Sequence, residues 1–158
     1  MMAKIAYYAR IGVTLLLLAV FSIVMLGFTI VTLGFFIRKN FVWILAPCGR
    51  LILRVWGLRM EVIPALPVPD RQTVFVFNHT SSIDVIALAA LGLPNTRYFL
   101  SGFLRQNPMF AILGYLTGIF WTVRQEFPEE RAQIFHSACE TLKRTGQSVA
   151  LSPVSYTH

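Results

Sequence analysis

Between Ile11 and Ile37 the chain carries 27 consecutive residues without a charge, most of them apolar. As one continuous helix this run would be about 40 Å long, more than the roughly 30 Å hydrocarbon core of a bilayer. Two arrangements absorb the excess. The helix tilts, or it breaks near Gly27 to Gly34 and returns as a re-entrant pair. The run is too long for the h-region of a signal peptide, and no small-x-small cleavage site follows it, so an uncleaved anchor is expected. Lys4 and Arg10 precede the run, and Arg38 and Lys39 follow it. For a single span the heavier C-terminal flank would be cytoplasmic; for a re-entrant pair both flanks would be. Either way the rest of the chain is expected on the cytoplasmic side.

The charge distribution agrees. Residues 1–60 hold seven basic residues and no acidic one, whereas residues 61–158 hold seven of each, so the net charge of +7 lies wholly on the apolar N-terminal part. A nucleic-acid binder would gather its cations on a polar face. Here they flank and punctuate apolar runs, which suits anionic lipid headgroups and speaks against a nucleic-acid partner. The whole chain is 56% hydrophobic with a mean hydropathy of +0.64, high for a soluble domain. Its two cysteines, Cys48 and Cys139, form no C-x-x-C or other metal spacing, so no metal site is expected.

Residues 41–60, "FVWILAPCGRLILRVWGLRM", read as an interfacial segment. Arg50 and Arg54 share one helical face, and Trp43 and Trp56 suit headgroup depth. The alternative is a core helix whose arginines snorkel to solvent. From Leu58 the pattern changes to short apolar runs alternating with amphipathic ones. Strands are expected near 58–63, 73–77, 96–101, 118–123 and 147–151, and helices near 83–91, 107–116 and 129–145. The last helix has the fullest set of signals: Pro128, Glu129 and Glu130 at its start, Lys143 and Arg144 in its last turn, and Gly146 as cap. Its apolar stripe comprises Ile134, Phe135, Ala138, Cys139 and Leu142, with His136 as a polar helix residue. Strands alternating with helices imply an α/β sheet flanked by helices. The expected organisation is a membrane-anchoring and interfacial segment over 1–57 and a core over 58–151. The proline-rich "PALPVPD" at 64–70 joins them.

Within that core, "FVFNHTSSIDVI" breaks an apolar strand with a polar turn. On an unbroken helix His79 and Asp84 would stand about 140° apart and could not touch. They can touch if "TSS" turns the chain and a helix begins after it, at Ile83 or Asp84, with Ser81 or Ser82 as N-cap. Asp84 could then fold back to His79, fix its tautomer and stabilise its protonated form, leaving the other ring nitrogen to take a proton from a hydroxyl. The pair follows a strand, and ligands of open α/β sheets bind at the carboxyl ends of strands. The alternative is a polar loop whose Asn, Ser and Asp serve only as caps. Arg124 by itself reads as a surface partner of Glu126 or Glu129.

"NHTSSID" resembles the N-H-x-x-x-x-D motif of the glycerophospholipid acyltransferases, particularly the bacterial 1-acylglycerol-3-phosphate acyltransferases. "GIFWTVRQ", Gly118 to Gln125, resembles their G-x-I-F-x-x-R block. The basic-flanked hydrophobic N-terminus, "GLRMEV" and "NPMFAILGYLTG" are similar too, so the resemblance covers nearly the whole chain. It implies a partial acyltransferase-like core sheet behind an N-terminal membrane helix or re-entrant pair. It implies that His79 is the general base and Asp84 its orienting partner, and that Ser81 and Ser82 are not nucleophiles. Arg124 would bind the acceptor's phosphate, with Asn78 and Gly118 as further substrate-binding positions. The reaction implied is acyl transfer from acyl-CoA or acyl carrier protein, as co-substrate and without a cofactor, to lysophosphatidic acid, giving phosphatidic acid. Membrane lipids would be partners, and the site would face the cytoplasm at a bacterial inner membrane. Alternatives are another lysolipid acceptor, such as a lyso-ornithine lipid, or a non-catalytic membrane-anchored relative.

The resemblance departs at two places. The family's P-E-G-T-R block should follow "QSVAL", but the chain reads "SPVSYTH". The expectation is a C-terminally truncated reading frame with a non-native tail over 152–158, the alternative a divergent member. The last strand would then lie at an open sheet edge. Family members also commonly carry a lysine near Ser101; here Arg97 and Arg105 are the nearby cations.

Overall fold

The computed structural model describes residues 2–32, 42–62, 70–79, 81 and 83–152. The chain divides into two compact units, and the division does not follow chain order. The first comprises Met1–Pro67 and Ser81–Pro94, the second Val68–Thr80 and Asn95–His158. The connector at 64–70 lies, except for Asp70, outside the described residues, as does the tail from residue 153.

The first unit is helical. Helix α1 (Met2–Val31) continues unbroken through Gly27; residues 33 and 34, the remainder of the expected break region, lie outside the described residues. Three hydroxyls in so apolar a helix, and a fourth just past its end, would be costly, and each is satisfied locally. Thr14, Ser22, Thr29 and Thr32 donate to the carbonyl four residues back at 2.7–2.8 Å. Within Lys4–Val31, α1 is long and apolar enough to cross a membrane, and most of its apolar stretch is not buried. Both properties point to membrane association.

Helix α2 (Val42–Val55) packs along α1. It ends at Gly57, in the left-handed region at φ 71°, and Trp56 just beyond its last turn donates Nε1–H to Thr14 Oγ1 at 3.0 Å. The end of α2 therefore lies beside the beginning of α1, and the two run antiparallel. The other side of α2 meets helix α3 (Asp84–Leu91). At Gly49 a Cβ would stand 2.6 Å from the Ala90 nitrogen and 2.9 Å from the Ile86 oxygen, so only glycine admits this approach. Arg50 donates Nε–H to the Ala90 carbonyl at 3.1 Å, satisfying one of the carbonyls that a helix C-terminus leaves open. Val42–Val55 is thus a packed helix with Ala46, Cys48, Gly49, Ile52 and Leu53 buried, while Trp43 stays 80% exposed.

Burial pushes the Cys48 thiol up to about 11, whereas Cys139 is exposed. A thiol reagent attacks the thiolate, so folded protein should show one fast thiol, Cys139, with Cys48 reacting on unfolding. Two fast thiols would contradict the packing of α2. Cys139 also corrects the expected apolar stripe. At 100° per residue it lies about 80° from the middle of the stripe formed by Ile134, Phe135, Ala138 and Leu142.

The second unit is a sheet of four parallel strands: β1 (Val74–Val76), β2 (Thr96–Ser101), β3 (Phe120–Thr122) and β4 (Ser148–Leu151), in the order β1-β4-β2-β3. The inner strands are buried on both faces, as parallel strands require: Tyr98, Leu100, Val149 and Ala150 are core residues. Helix α4 (Pro108–Thr117) adds Leu113 and Leu116, and helix α5 (Pro128–Thr145) adds Ala138 and Leu142. Phe99 of β2 stacks between Phe120 and Phe135, with centroids 5.0 and 4.8 Å away. Gln72 ties β1 to the end of α5, donating Nε2–H to the carbonyls of Leu142 and Gln147 at 3.1 and 2.9 Å. The expected caps of α5 are present: Pro128 in the first turn with Glu129 and Glu130, and Gly146 at φ 64°.

Two expectations are corrected. Leu58 to Val62 form no strand, and Leu58, Met60 and Val62 are exposed. Alternation gives these residues one apolar face but no ladder, and no described strand lies beside them. Nor is the last strand an edge. β4 pairs with β1 on one side and β2 on the other, so the edges are β1 and β3.

Candidate active site

Parallel strands send all four carboxyl ends to one edge of the sheet. Past Val76 the β1 chain keeps its ladder for one more bond, Phe77 N–H to Leu151 O at 3.2 Å. Asn78 and His79 follow at once, both exposed. β3 ends at Thr122, and Arg124 leaves the same edge two residues later, exposed. With order β1-β4-β2-β3, three strand spacings of about 4.8 Å separate the strands that carry His79 and Arg124, roughly 14 Å in all. Among the described residues no ion pair joins Arg124 to Glu126 or Glu129.

Beyond His79 the chain turns. Asp84 N–H donates to Ser81 O at 3.0 Å, Ser81 Oγ accepts from Ile83 N at 3.3 Å, and Asp84 Oδ2 accepts from Ser81 N at 2.8 Å. Asp84 is the first residue of α3, where its charge complements the helix dipole. The expected serine cap gives way to another solution. The N-cap position is Ile83, which makes no side-chain cap bond; Ser82 lies outside the described residues. The carboxylate of Asp84 folds back over the turn and holds Ser81 instead. His79 belongs to the second unit and Asp84 to the first, and their joint role belongs to the proposal below.

Gly118 lies elsewhere. It precedes β3 and is therefore at the amino edge, away from Asn78, His79 and Arg124. It ends α4 at φ 71°, and a Cβ there would stand 3.0 Å from the Arg97 guanidinium. Arg97 is buried in β2, donates Nε–H to Gln147 Oε1 at 2.6 Å and lies 5.3 Å from the centre of the Phe120 ring. Gly118 and Arg97 thus build the amino edge of the sheet. Arg105 is different. It sits on the 3₁₀ turn Gly102–Gln106 that follows β2, on the carboxyl edge, and is exposed. A Cβ on Gly102 would meet the Thr122 carbonyl at 2.9 Å, so this turn lies against the end of β3, close to where Arg124 leaves. Sequence proximity to Ser101 pointed equally to Arg97 and Arg105; strand direction separates them. Ser101 itself caps the turn, its Oγ accepting from Phe103 N at 3.3 Å.

The family model described as Acyltransferase matches residues 59–153. The chain belongs to the acyltransferase family. The matched stretch contains all four strands, α3, α4 and α5, and the turn between His79 and Asp84. No curated protein and no solved structure matches the chain.

Proposed function

We propose that the protein transfers a fatty acyl group from acyl-CoA or acyl carrier protein to the free hydroxyl of lysophosphatidic acid, giving phosphatidic acid. His79 takes the hydroxyl proton as the oxygen attacks the thioester carbon. The new C–O bond forms, the C–S bond breaks, and the departing thiolate recovers the proton from His79. Asp84 orients the imidazole and stabilises its protonated form. Arg124 grips the acceptor's phosphate through two oxygens, a task for which a permanently charged, planar guanidinium is suited. Asn78 supplies an amide beside the base, and Gly118 shapes the far edge of the sheet rather than touching substrate. Co-substrate chemistry suffices, and no cofactor takes part. The chain is organised as an anchoring part over 1–57 and a core over 58–151. It acts at the cytoplasmic face of a bacterial inner membrane, held by α1.

One observation carries this reading: in a chain of the acyltransferase family, His79 and Arg124 leave the same edge of a parallel sheet. The decisive experiment is rescue of a bacterium that lacks its lysophosphatidic acid acyltransferase, paired with in vitro acyl transfer to purified lysolipids. A second reading, the same chemistry on another lysolipid such as a lyso-ornithine lipid, is favoured by Ser101. Its hydroxyl caps a turn where the family resemblance implies a lysine. Transfer to the lyso-ornithine lipid without transfer to lysophosphatidic acid would establish that reading; transfer to neither would support a non-catalytic relative.

Arg124→Ala tests the phosphate assignment. Loss of a charge-assisted pair of about 1.5–3 kcal/mol corresponds to a roughly ten- to hundredfold rise in KM for a phosphate-bearing acceptor. The KM for the acyl donor should stay unchanged. An unchanged acceptor KM would remove Arg124 from the site.

A further inference from the structure

Residues 95–125 carry three cations, Arg97, Arg105 and Arg124, and no carboxylate. Arg97 is engaged inside the amino edge of the sheet, on Gln147 and the Phe120 ring. The other two stand at the carboxyl edge, both exposed, and among the described residues neither makes an ion pair or a side-chain hydrogen bond. Their strands are neighbours. The ladder between β2 and β3 ends on the pair Ser101 and Thr122, so both chains leave the sheet at one level. From there the 3₁₀ turn Gly102–Gln106 sets the direction of Arg105. Positions three apart in such a turn eclipse one another. Gly102 faces the Thr122 carbonyl so closely that a Cβ would stand 2.9 Å from it. Arg105 therefore leaves the same side of the turn, about 6 Å farther along, toward the chain that runs from Thr122 to Arg124.

We propose that Arg105 closes with Arg124 on one phosphate, and that Arg105 is the residue that selects a phosphate monoester as the acceptor's head. Two guanidiniums on one edge, with no carboxylate bonded to either, repel each other, and an anion shared between them removes that cost. A monoester suits the pair best. It carries about two charges at neutral pH and three terminal oxygens, enough for two planar forks. A phosphodiester has half the charge and one terminal oxygen fewer, so it satisfies one fork and leaves the second cation poorly matched. A head without phosphate, such as that of a lyso-ornithine lipid, matches neither. Ser101 adds no charge, but its hydroxyl caps the turn on Phe103 N and so fixes where Arg105 stands. The proposal rests on the phosphate role given to Arg124 in the proposed acyl transfer and adds to it the acceptor's charge class.

The test is calorimetric binding of lysolipids to the full chain in non-ionic detergent micelles, with no acyl donor present. Lysophosphatidic acid supplies the monoester, and lysophosphatidylglycerol of the same acyl chain supplies the diester. The parent should bind the monoester more tightly by about tenfold or more. R105Q should weaken monoester binding about ten- to hundredfold and diester binding much less, so that the preference disappears. R105K keeps the charge but not the fork and should recover part of the loss. R71Q takes the same charge from the exposed amino edge of the unit and should leave both affinities unchanged. R105Q/R124A should lose less than the product of the two single losses, because both arginines act on one phosphate. Equal binding of the two heads by the parent, unchanged monoester binding in R105Q, a loss that R71Q reproduces, or single losses that multiply would each overturn the proposal. The readout needs no turnover. Monoester binding that depends on Arg105, in a chain that transfers no acyl group, would end the proposed acyl transfer and keep the two-arginine site. Transfer to lysophosphatidic acid by R105Q at the parent KM would do the reverse.

Discussion

His79→Ala is expected to lower the rate of acyl transfer by about a hundred- to ten-thousandfold, the contribution of a positioned general base. The loss should fall on kcat. On the proposed assignment the acceptor is held through Arg124 and the donor through its own groups, so both KM values should change little. The fold should survive, because His79 is exposed and lies past the last ladder bond of β1. Protection of Cys48 from thiol reagents verifies this in the same sample. Transfer within a few-fold of the parent rate would end the general-base assignment. Asp84→Asn should act twice. It weakens the orientation of His79, and it exchanges a charged acceptor on Ser81 N for a neutral one, loosening the turn.

Gly49→Leu is the largest stability effect we expect, about 3 kcal/mol, at the upper end of the usual cost of overpacking. The neighbours of the new Cβ are backbone atoms of α3, 2.6 and 2.9 Å away, and no rotamer of the leucine relieves a clash at Cβ itself. α2 and α3 must separate, and with them go the Arg50–Ala90 bond and the burial of Ile52 and Leu53. Equilibrium denaturation measures the cost. Gly12→Ala on α1, where a Cβ meets nothing within 4 Å, is the matched control. It should be neutral or stabilising by up to about 1 kcal/mol, the helix propensity difference. Equal midpoints for the two variants would show that the α2–α3 approach is not tight.

Several elements were legible because their signals are local. The uncharged run specifies α1 through composition alone. Proline, two glutamates, two cations and a glycine at the right offsets specify α5 end to end. The inner strands were legible as short apolar runs, since a parallel strand buried on both faces needs no alternation. The start of α3 at Asp84 could be read from the change of period after "TSS", although the N-cap position is Ile83: the Asp84 carboxylate takes the Ser81 N–H, and the Ser81 hydroxyl takes the Ile83 N–H.

Other features depend on which surfaces bury one another, and no window of sequence contains that. The alternation of Leu58, Met60 and Val62 looks like a strand, but a strand exists only beside a partner. The placement of β4 between β1 and β2 turned an expected edge into the centre of the sheet. The same strand order divided two similar arginines, leaving Arg97 in the amino-edge core and Arg105 on the edge that bears His79 and Arg124. Gly49 looked like any helical glycine until α3 was seen against it. The sequence alone determined that the chain has an apolar, basic-flanked helix and an α/β core with a turn placing a histidine after a strand, because these follow from composition, period and caps. Only the tertiary structure decided strand order, the contact of Trp56 with Tyr7 and Thr14, and the docking of α3 on α2. Those follow from burial between segments distant in the chain, where the free energy belongs to a pair of surfaces and to neither sequence alone.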